Sequence, residues 1–192
     1  MHLHTRFMKT LSAALLCLPG CNIAQAQIDL AAQEATARTI TGQFTATLLP
    51  TLQSALAEGG PAGAIEVCAA RAPAIAAELS ANSGWFVRRV SLKPRNASSA
   101  VADPWEQEVL QNFDERQAAG EPGPTLFASA EVDGEYRFMQ ALPVLPLCLS
   151  CHGQNISEDV LAALAEHYPA DLATGYSEGQ IRGAISLRLP LP

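Results

Sequence analysis

Thr125-Leu126-Phe127-Ala128-Ser129-Ala130-Glu131-Val132-Asp133-Gly134-Glu135-Tyr136-Arg137-Phe138-Met139-Gln140-Ala141-Leu142 leads, after a short proline-containing link, into Cys148-Leu149-Ser150-Cys151-His152. Asp-Gly between two such runs is the strongest short hairpin signal, because the favoured two-residue turn needs positive φ at both central positions. Strands are therefore predicted over 125–132 and 135–142. The C-x-x-C-H that follows is the attachment pattern for covalently bound c-type haem. Two thiols three positions apart reach the two vinyl groups of one porphyrin, and the adjoining imidazole reaches the iron. A thioredoxin-like pair would need the motif at a strand end in a βαβ unit, and Pro143 and Pro146 oppose that. A zinc knuckle would need a second ligand pair, which the sequence lacks. A plain exported disulfide leaves His152 without a role. A hairpin feeding a haem motif also excludes two common designs. Class I cytochromes c place the motif early and a methionine ligand after it, yet Met1, Met8 and Met139 all precede His152. Cytochromes c′ have a late motif in a four-helix bundle, which has no hairpin.

Further out, Ser157-Glu158-Asp159 starts a helix that ends at His167 before Pro169, and Gly183–Leu189 reads as a closing strand. On the other side, Asp103-Pro104-Trp105-Glu106 opens a helix through a capping-box variant, with Trp105, Val109, Leu110 and Phe113 facing inward and Gly120 stopping it. Trp85–Ser91 reads as a strand and 93–96 as a loop. Residues 28–57 predict a long helix with Ile40, Phe44, Leu48, Leu52 and Leu56 on one stripe; Pro50 should kink or split it, and Gly59-Gly60-Pro61 should end it. A second helix over 62–81 aligns Ile65, Cys68, Ala72, Ile75, Ala76 and Leu79, with a bend at Pro73 just after Cys68. Helices first, then a largely antiparallel sheet interrupted by a helix, define an α+β fold with a long N-terminal helix.

The 192 residues are 48% hydrophobic and 16% charged, which suits one domain with a proper core. Arg6 and Lys9 followed by the apolar run 11–18 resemble an export signal too short to span a bilayer. Ala24-Gln25-Ala26 marks cleavage after residue 26, leaving 27–192 as a single domain; Leu18-Pro19-Gly20-Cys21 is the competing lipobox, which would leave Cys21 lipidated. Residues 1–26 hold two cations and no acid, so their loss takes the net charge from −7 to −9. That charge argues against nucleic acid and anionic membrane surfaces as partners. No later stretch is long and apolar enough for a membrane span. Export and haem attachment agree on a periplasmic setting, because c-type maturation happens outside the cytoplasm. Cys68 is then the odd thiol in an oxidising compartment.

Beyond the proximal His152, the sixth-ligand candidates are Cys68, Met139, His167 and Lys93. Each of the first three has an ordinary alternative: Cys68 a small buried hydrophobe, Met139 a core or hairpin side chain, His167 a helix-end residue favoured by the dipole. Arg89, Lys93 and Arg95 are scarce cations in an acidic chain, placed to contact haem propionates or to line a solvated loop. Asp171 and Tyr176 read as capping and packing residues.

Several segments together resemble the PAS-like single c-type haem proteins: Ala64-Ile65-Glu66-Val67-Cys68 with Ala72–Ala76, Val87–Ser91 with Arg95-Asn96, Trp105-Glu106, Cys148–Gly153, Tyr168–Tyr176 and Gly179–Ser186. The resemblance spans most of residues 30–189, although Ala97-Ser98-Ser99 departs from the turn expected after Asn96. It implies a PAS-like antiparallel sheet flanked by helices, one haem c, and an iron held by one His and one Cys, the latter matched by Cys68. The odd Cys68 and its helix add the expectation of a redox or gas sensor for CO or NO, reporting to a separate redox or signalling partner. A low-potential periplasmic electron carrier is the alternative. An enzyme is disfavoured, since His167 is the one spare histidine and no distal acid–base pair is evident.

Overall fold

Asp29 caps the first helix by accepting hydrogen bonds from the backbone of Ala31 and Ala32 at 3.1 and 3.2 Å. From there the computed structural model describes residues 29–192; the expected export segment 1–26, with Cys17 and Cys21, lies outside the described residues. Helix α1 (Leu30–Ser83) holds Pro50, Pro61 and Pro73 but leaves helical geometry only at Gly60 (φ 64°, ψ −173°). The break thus falls at the predicted Gly59-Gly60-Pro61, and Pro61 suits the first position of the second arm, where its missing N–H costs nothing. Pro50 does not split the helix: it sits on the exposed side, where water satisfies the carbonyl it frees.

Next come β1 (Phe86–Val90), α2 (Pro104–Ala118), β2 (Phe127–Val132), β3 (Glu135–Pro143), the single turn α3 (Leu149–His152), α4 (Glu158–His167) and β4 (Ile181–Pro190). β2 starts two residues later than predicted, because Gly123–Thr125 coil into a 3₁₀ turn. Asp133 and Gly134 take φ 51° and 78°, which is the expected hairpin turn. The sheet order is β1-β4-β3-β2, antiparallel throughout. Among the described residues no helix is long and apolar enough to cross a membrane.

Alternation along the strands sorts the two faces. Val87, Tyr136, Phe138, Ile185 and Leu187 pack against Ala37, Ile40, Phe44 and Ile75 from both arms of α1. Val90, Met139, Ala141 and Ala184 pack against Leu110 and Phe113 of α2. The long helix therefore covers one face and α2 the other. The predicted stripe on α1 runs from core into cavity wall: Ile40 and Phe44 are buried, while Leu48, Leu52 and Leu56 line an opening between α1 and the sheet. On the α2 side, Glu106 closes the capping box with Asp103 and is itself fully buried. Arg88, Arg137 and the Ser186 hydroxyl surround its carboxylate, and Arg137 also pairs with Asp103 at 2.6 Å. Two carboxylates against two guanidinium groups keep this buried cluster balanced.

Candidate functional site

The opening beside Leu48, Leu52 and Leu56 is a cavity of about 590 Å³. That size lies within the roughly 300–1,000 Å³ typical of small-molecule and cofactor sites. Three regions build it: the second arm of α1 supplies Cys68, β1 and the loop after it supply Arg89, Lys93 and Arg95, and the turn into α3 supplies Cys148, Cys151 and His152. The sequence-predicted residues thus meet in one place, although they are spread from position 68 to position 152. Met139 is elsewhere, fully buried in the α2 cluster on the opposite face. His167 ends α4 and does not line the cavity.

His152 is held from behind. Its Nδ1 lies 2.7 Å from the carbonyl oxygen of Ala173; a carbonyl only accepts, so Nδ1 carries the proton and Nε2 keeps its lone pair as an acceptor. Burial, then repulsion by Arg182 and Arg95, hold its pKa well below the ordinary histidine value, against the opposing pull of the Ala173 carbonyl. The ring is therefore a neutral imidazole whose other nitrogen is fixed by a backbone acceptor, the arrangement expected of a metal-ligating histidine. Tyr176 packs edge-on against it at 6.4 Å between ring centres.

The Ala173 carbonyl depends on the segment around it. Gly175 and Tyr176 donate their backbone N–H groups to the carbonyls of Gly153 and His152, each at 2.9 Å. Asp171 caps the Ala173 N–H at 2.7 Å and takes a hydrogen bond from Arg95 Nε at 3.1 Å. Arg95 also donates to the carbonyls of Ala173 and Cys151, and its Nη1 stands 3.4 Å from His152 Nε2. Lys93 donates to the Thr174 carbonyl at 2.7 Å and lies over the Tyr176 ring at 4.6 Å. Two of the three cations singled out in the sequence thus spend donors on clamping the histidine's support. Asp171 and Tyr176 cap and pack, as predicted.

Cys68 is a half-buried free thiol. Burial raises its pKa and Cys151 adds to this, while Arg89, Arg182 and Arg95 pull it down. Cys148 and Cys151 are also free, and the Cys151 sulfur lies 4.0 Å from the carbonyl of Pro61, beside the break in α1.

Arg182 is the residue sequence reasoning missed. It stands where the β3–β4 register slips: Leu142 faces Gly183 but Pro143 faces Ile181, which leaves Arg182 as an extra residue. A bulge of this kind re-aims a side chain, and here Arg182 lines the cavity. Gly183 lets the bulge close: its φ is 156°, and a Cβ there would come within 2.3 Å of the Val90 carbonyl oxygen. Burial and repulsion by Arg89 and Arg95 push the Arg182 pKa down to about 9. Arg89 is lowered too, mainly by burial. Among the described residues neither has a hydrogen-bonding or ion-pairing partner for its guanidinium. The walls thus present two thiols one helical turn apart, an unprotonated imidazole nitrogen that Arg95 approaches at 3.4 Å, a third thiol from another element, apolar leucines and two unpaired guanidinium groups. That donor set fits a flat, largely apolar group that carries a metal and acidic side chains.

Fold and site together define an α+β, PAS-like domain with a thiol- and imidazole-lined cavity beneath its long helix. Residues 22–190 match the Tll0287-like family model, so the chain belongs to the Tll0287-like family. The crystal structure of the cyanobacterial heme-protein Tll0287 superposes with a TM-score of 0.61 at 24% identity, covering 84% of this chain and 94% of that one. No curated protein sequence matches.

Proposed function

We propose that the protein, exported and trimmed to a single domain of 27–192, holds one covalent haem c in this cavity and serves in the periplasm as a redox or gas-sensing module. The observation that carries the reading is that His152, with Nε2 unprotonated, and Cys68 line one cavity from two different elements. The relative's description as a heme-protein supports it.

Cys148 and Cys151 would form the thioethers, and His152 and Cys68 would hold the iron. Arg89 and Arg182 meet the propionates; Lys93 and Arg95 stand at the same edge while holding the 171–176 segment. When bound, the group would supply a one-electron couple and, were Cys68 to leave the iron, the chemistry to bind CO or NO. Cys68 as thiolate favours the oxidised state and a low potential, and Arg89 offsets its charge. Cys68 also has a mechanical outlet. Its arm of α1 starts at the Gly60 break and packs through Ile65 on Val160 and Leu164 of α4, so displacing the thiol loads a helix pair that a signalling partner can read. The tight clamp on His152 favours the second reading, a low-potential electron carrier, because a fixed ligand needs little rearrangement.

The test is the protein purified from cells competent for c-type maturation. Pigment should survive acid–acetone extraction, and low-temperature electron spin resonance of the oxidised form should show the narrow g-spread of thiolate-bound haem. Cys68→Ser should abolish that signature and raise the potential; a colourless protein, or a C68S spectrum identical to wild type, overturns the assignment. CO binding on reduction selects the sensor, and its absence with rapid electron exchange selects the carrier.

A further inference from the structure

Behind Arg182 and Tyr176 lies a second cavity of about 450 Å³, back to back with the first and sharing Arg182 with it. Its volume falls in the lower part of the roughly 300–1,000 Å³ range for small-molecule sites. It opens between α2 and the turn before β4, and the first site draws on its lining through Arg182, Lys93 and Tyr176. Leu110, Ile181 and the Tyr176 ring make a short apolar wall. Charge distinguishes it from a surface dimple. Arg182 presents a guanidinium with no partner among the described residues. Asp114, at the exposed rim, presents a carboxylate that is equally unpartnered, and burial raises its pKa without an offsetting cation. The two line the same cavity, yet no ion pair joins them. The Tyr176 hydroxyl lies close enough to feel both charges. A cation and an anion that line one small cavity without pairing complement a molecule that carries both opposite charges. A guanidinium takes a carboxylate in a bidentate fork, and a carboxylate takes an ammonium. Gln117, beside Asp114 on α2 and also without side-chain partners, adds an amide for either end.

We propose that this second cavity binds a small zwitterion of the amino-acid class, its carboxylate on Arg182 and its ammonium on Asp114, and that the bound ligand lowers the potential of the group in the first cavity. The binding half stands by itself, whereas the coupling half rests on the haem reading given above. The coupling follows from Arg182 facing both cavities. A carboxylate on its far side draws on the positive charge that otherwise disfavours oxidation of the iron, so the oxidised state gains. By linkage the ligand then binds more tightly to the oxidised protein. A tenfold preference reads as a potential lower by about 59 mV for a one-electron couple.

The experiment is calorimetric titration of the matured, purified protein with each standard L-amino acid, and with acetate and methylammonium as half-ligands, followed by potentiometry with and without the best binder. At least one amino acid should bind, with both half-ligands at least tenfold weaker. Asp114→Asn should lose at least tenfold in affinity while keeping the wild-type absorption spectrum and ligand-free potential, and Arg182→Gln should lose binding as well. The binding half is overturned if no amino acid gives heat at millimolar concentration, if acetate binds as tightly as the best amino acid, or if D114N binds like wild type. A pigmented protein that binds but whose potential does not fall overturns the coupling alone. A colourless protein that binds leaves the zwitterion site standing and sinks the haem reading.

Discussion

Gly183→Ala tests the join between fold and site. At φ 156° a side chain is strained whatever the space around it, and the new Cβ would meet the Val90 carbonyl oxygen at 2.3 Å, with Ser91 Cβ at 3.2 Å. The nearest atom is backbone of β1, so it cannot rotate aside; β1 and β4 must separate, or the bulge must flatten and withdraw Arg182 from the cavity. Strain at a disfavoured φ costs about 1–3 kcal/mol, and forcing a methyl group into filled space about 1–3 kcal/mol more. The sum, about 2–6 kcal/mol, is a large share of a typical stability of about 5–15 kcal/mol. Urea unfolding followed by far-ultraviolet circular dichroism reads it. With a slope of about 2 kcal/mol/M, the midpoint should fall by roughly 1–3 M at unchanged slope. Gly179→Ala separates the two contributions, since Gly179 has φ 83° but nothing nearer than Gln117 Nε2 at 3.9 Å; it should show the backbone cost alone. Equal midpoints for the two variants would refute the close approach, and with it the account of how Arg182 is aimed.

Glu106→Leu removes the anion from between Arg88 and Arg137 and should cost about 3–5 kcal/mol, as breaking a buried charge cluster does; a loss below about 1 kcal/mol in urea unfolding would show that the arginines find water instead. Asp103 is raised by burial but lowered more by the Arg137 hydrogen bond, the Glu106 N–H and the charges of Arg137 and Arg88, so its folded pKa lies below the ordinary value. A depressed carboxyl stabilises above its unfolded pKa and loses that contribution as pH falls through the folded one. The stability gap between wild type and Asp103→Asn should therefore be full above about pH 4 and close below it; a gap independent of pH would contradict the pairing. Arg95→Lys cannot reproduce the fork onto Asp171, Ala173 and Cys151. It should cost about 1.5–3 kcal/mol, the range for hydrogen bonds to charged groups, and speed hydrogen exchange at the Gly175 and Tyr176 amides while leaving α2 unchanged.

What the sequence discloses here follows from how far each signal travels along the chain. The Asp133-Gly134 turn, the capping box at Asp103 and the Gly60 break are local, and each lies where its residues predict. Strand parity is equally local. Arg88 and Arg89 are neighbours, so they must face opposite sides, and Val87 assigns Arg89 to the α1 side with the cavity. Arg88 is left to Glu106. Arg182 could not be placed this way, because its direction comes from a register slip between strands some forty residues apart, for which Gly183 is the one local sign. The Ala173 carbonyl has no signature at all, being a main-chain atom.

Charge makes the same point at larger scale. A net −7, or −9 on the expected loss of residues 1–26, argues against nucleic acid or an anionic membrane surface as partner, because such partners respond to the summed field. It conceals a positive site, which depends on which cations lack a partner rather than on how many there are. Six of the described arginines pair with carboxylates, Lys93 is taken by Thr174, and Arg71 is exposed. Arg89 and Arg182 are what remains, and both line one cavity. Arg38 with Glu34 and Arg116 with Glu121 are neighbours along the chain. The other pairings, from Arg95 with Asp171 to Arg188 with Glu135, join residues that only the folded chain brings together. An acidic protein can therefore bind an acidic cofactor. The unfavourable long-range field is screened within about 8–10 Å at ordinary ionic strength, while the two unpaired guanidinium groups act at contact.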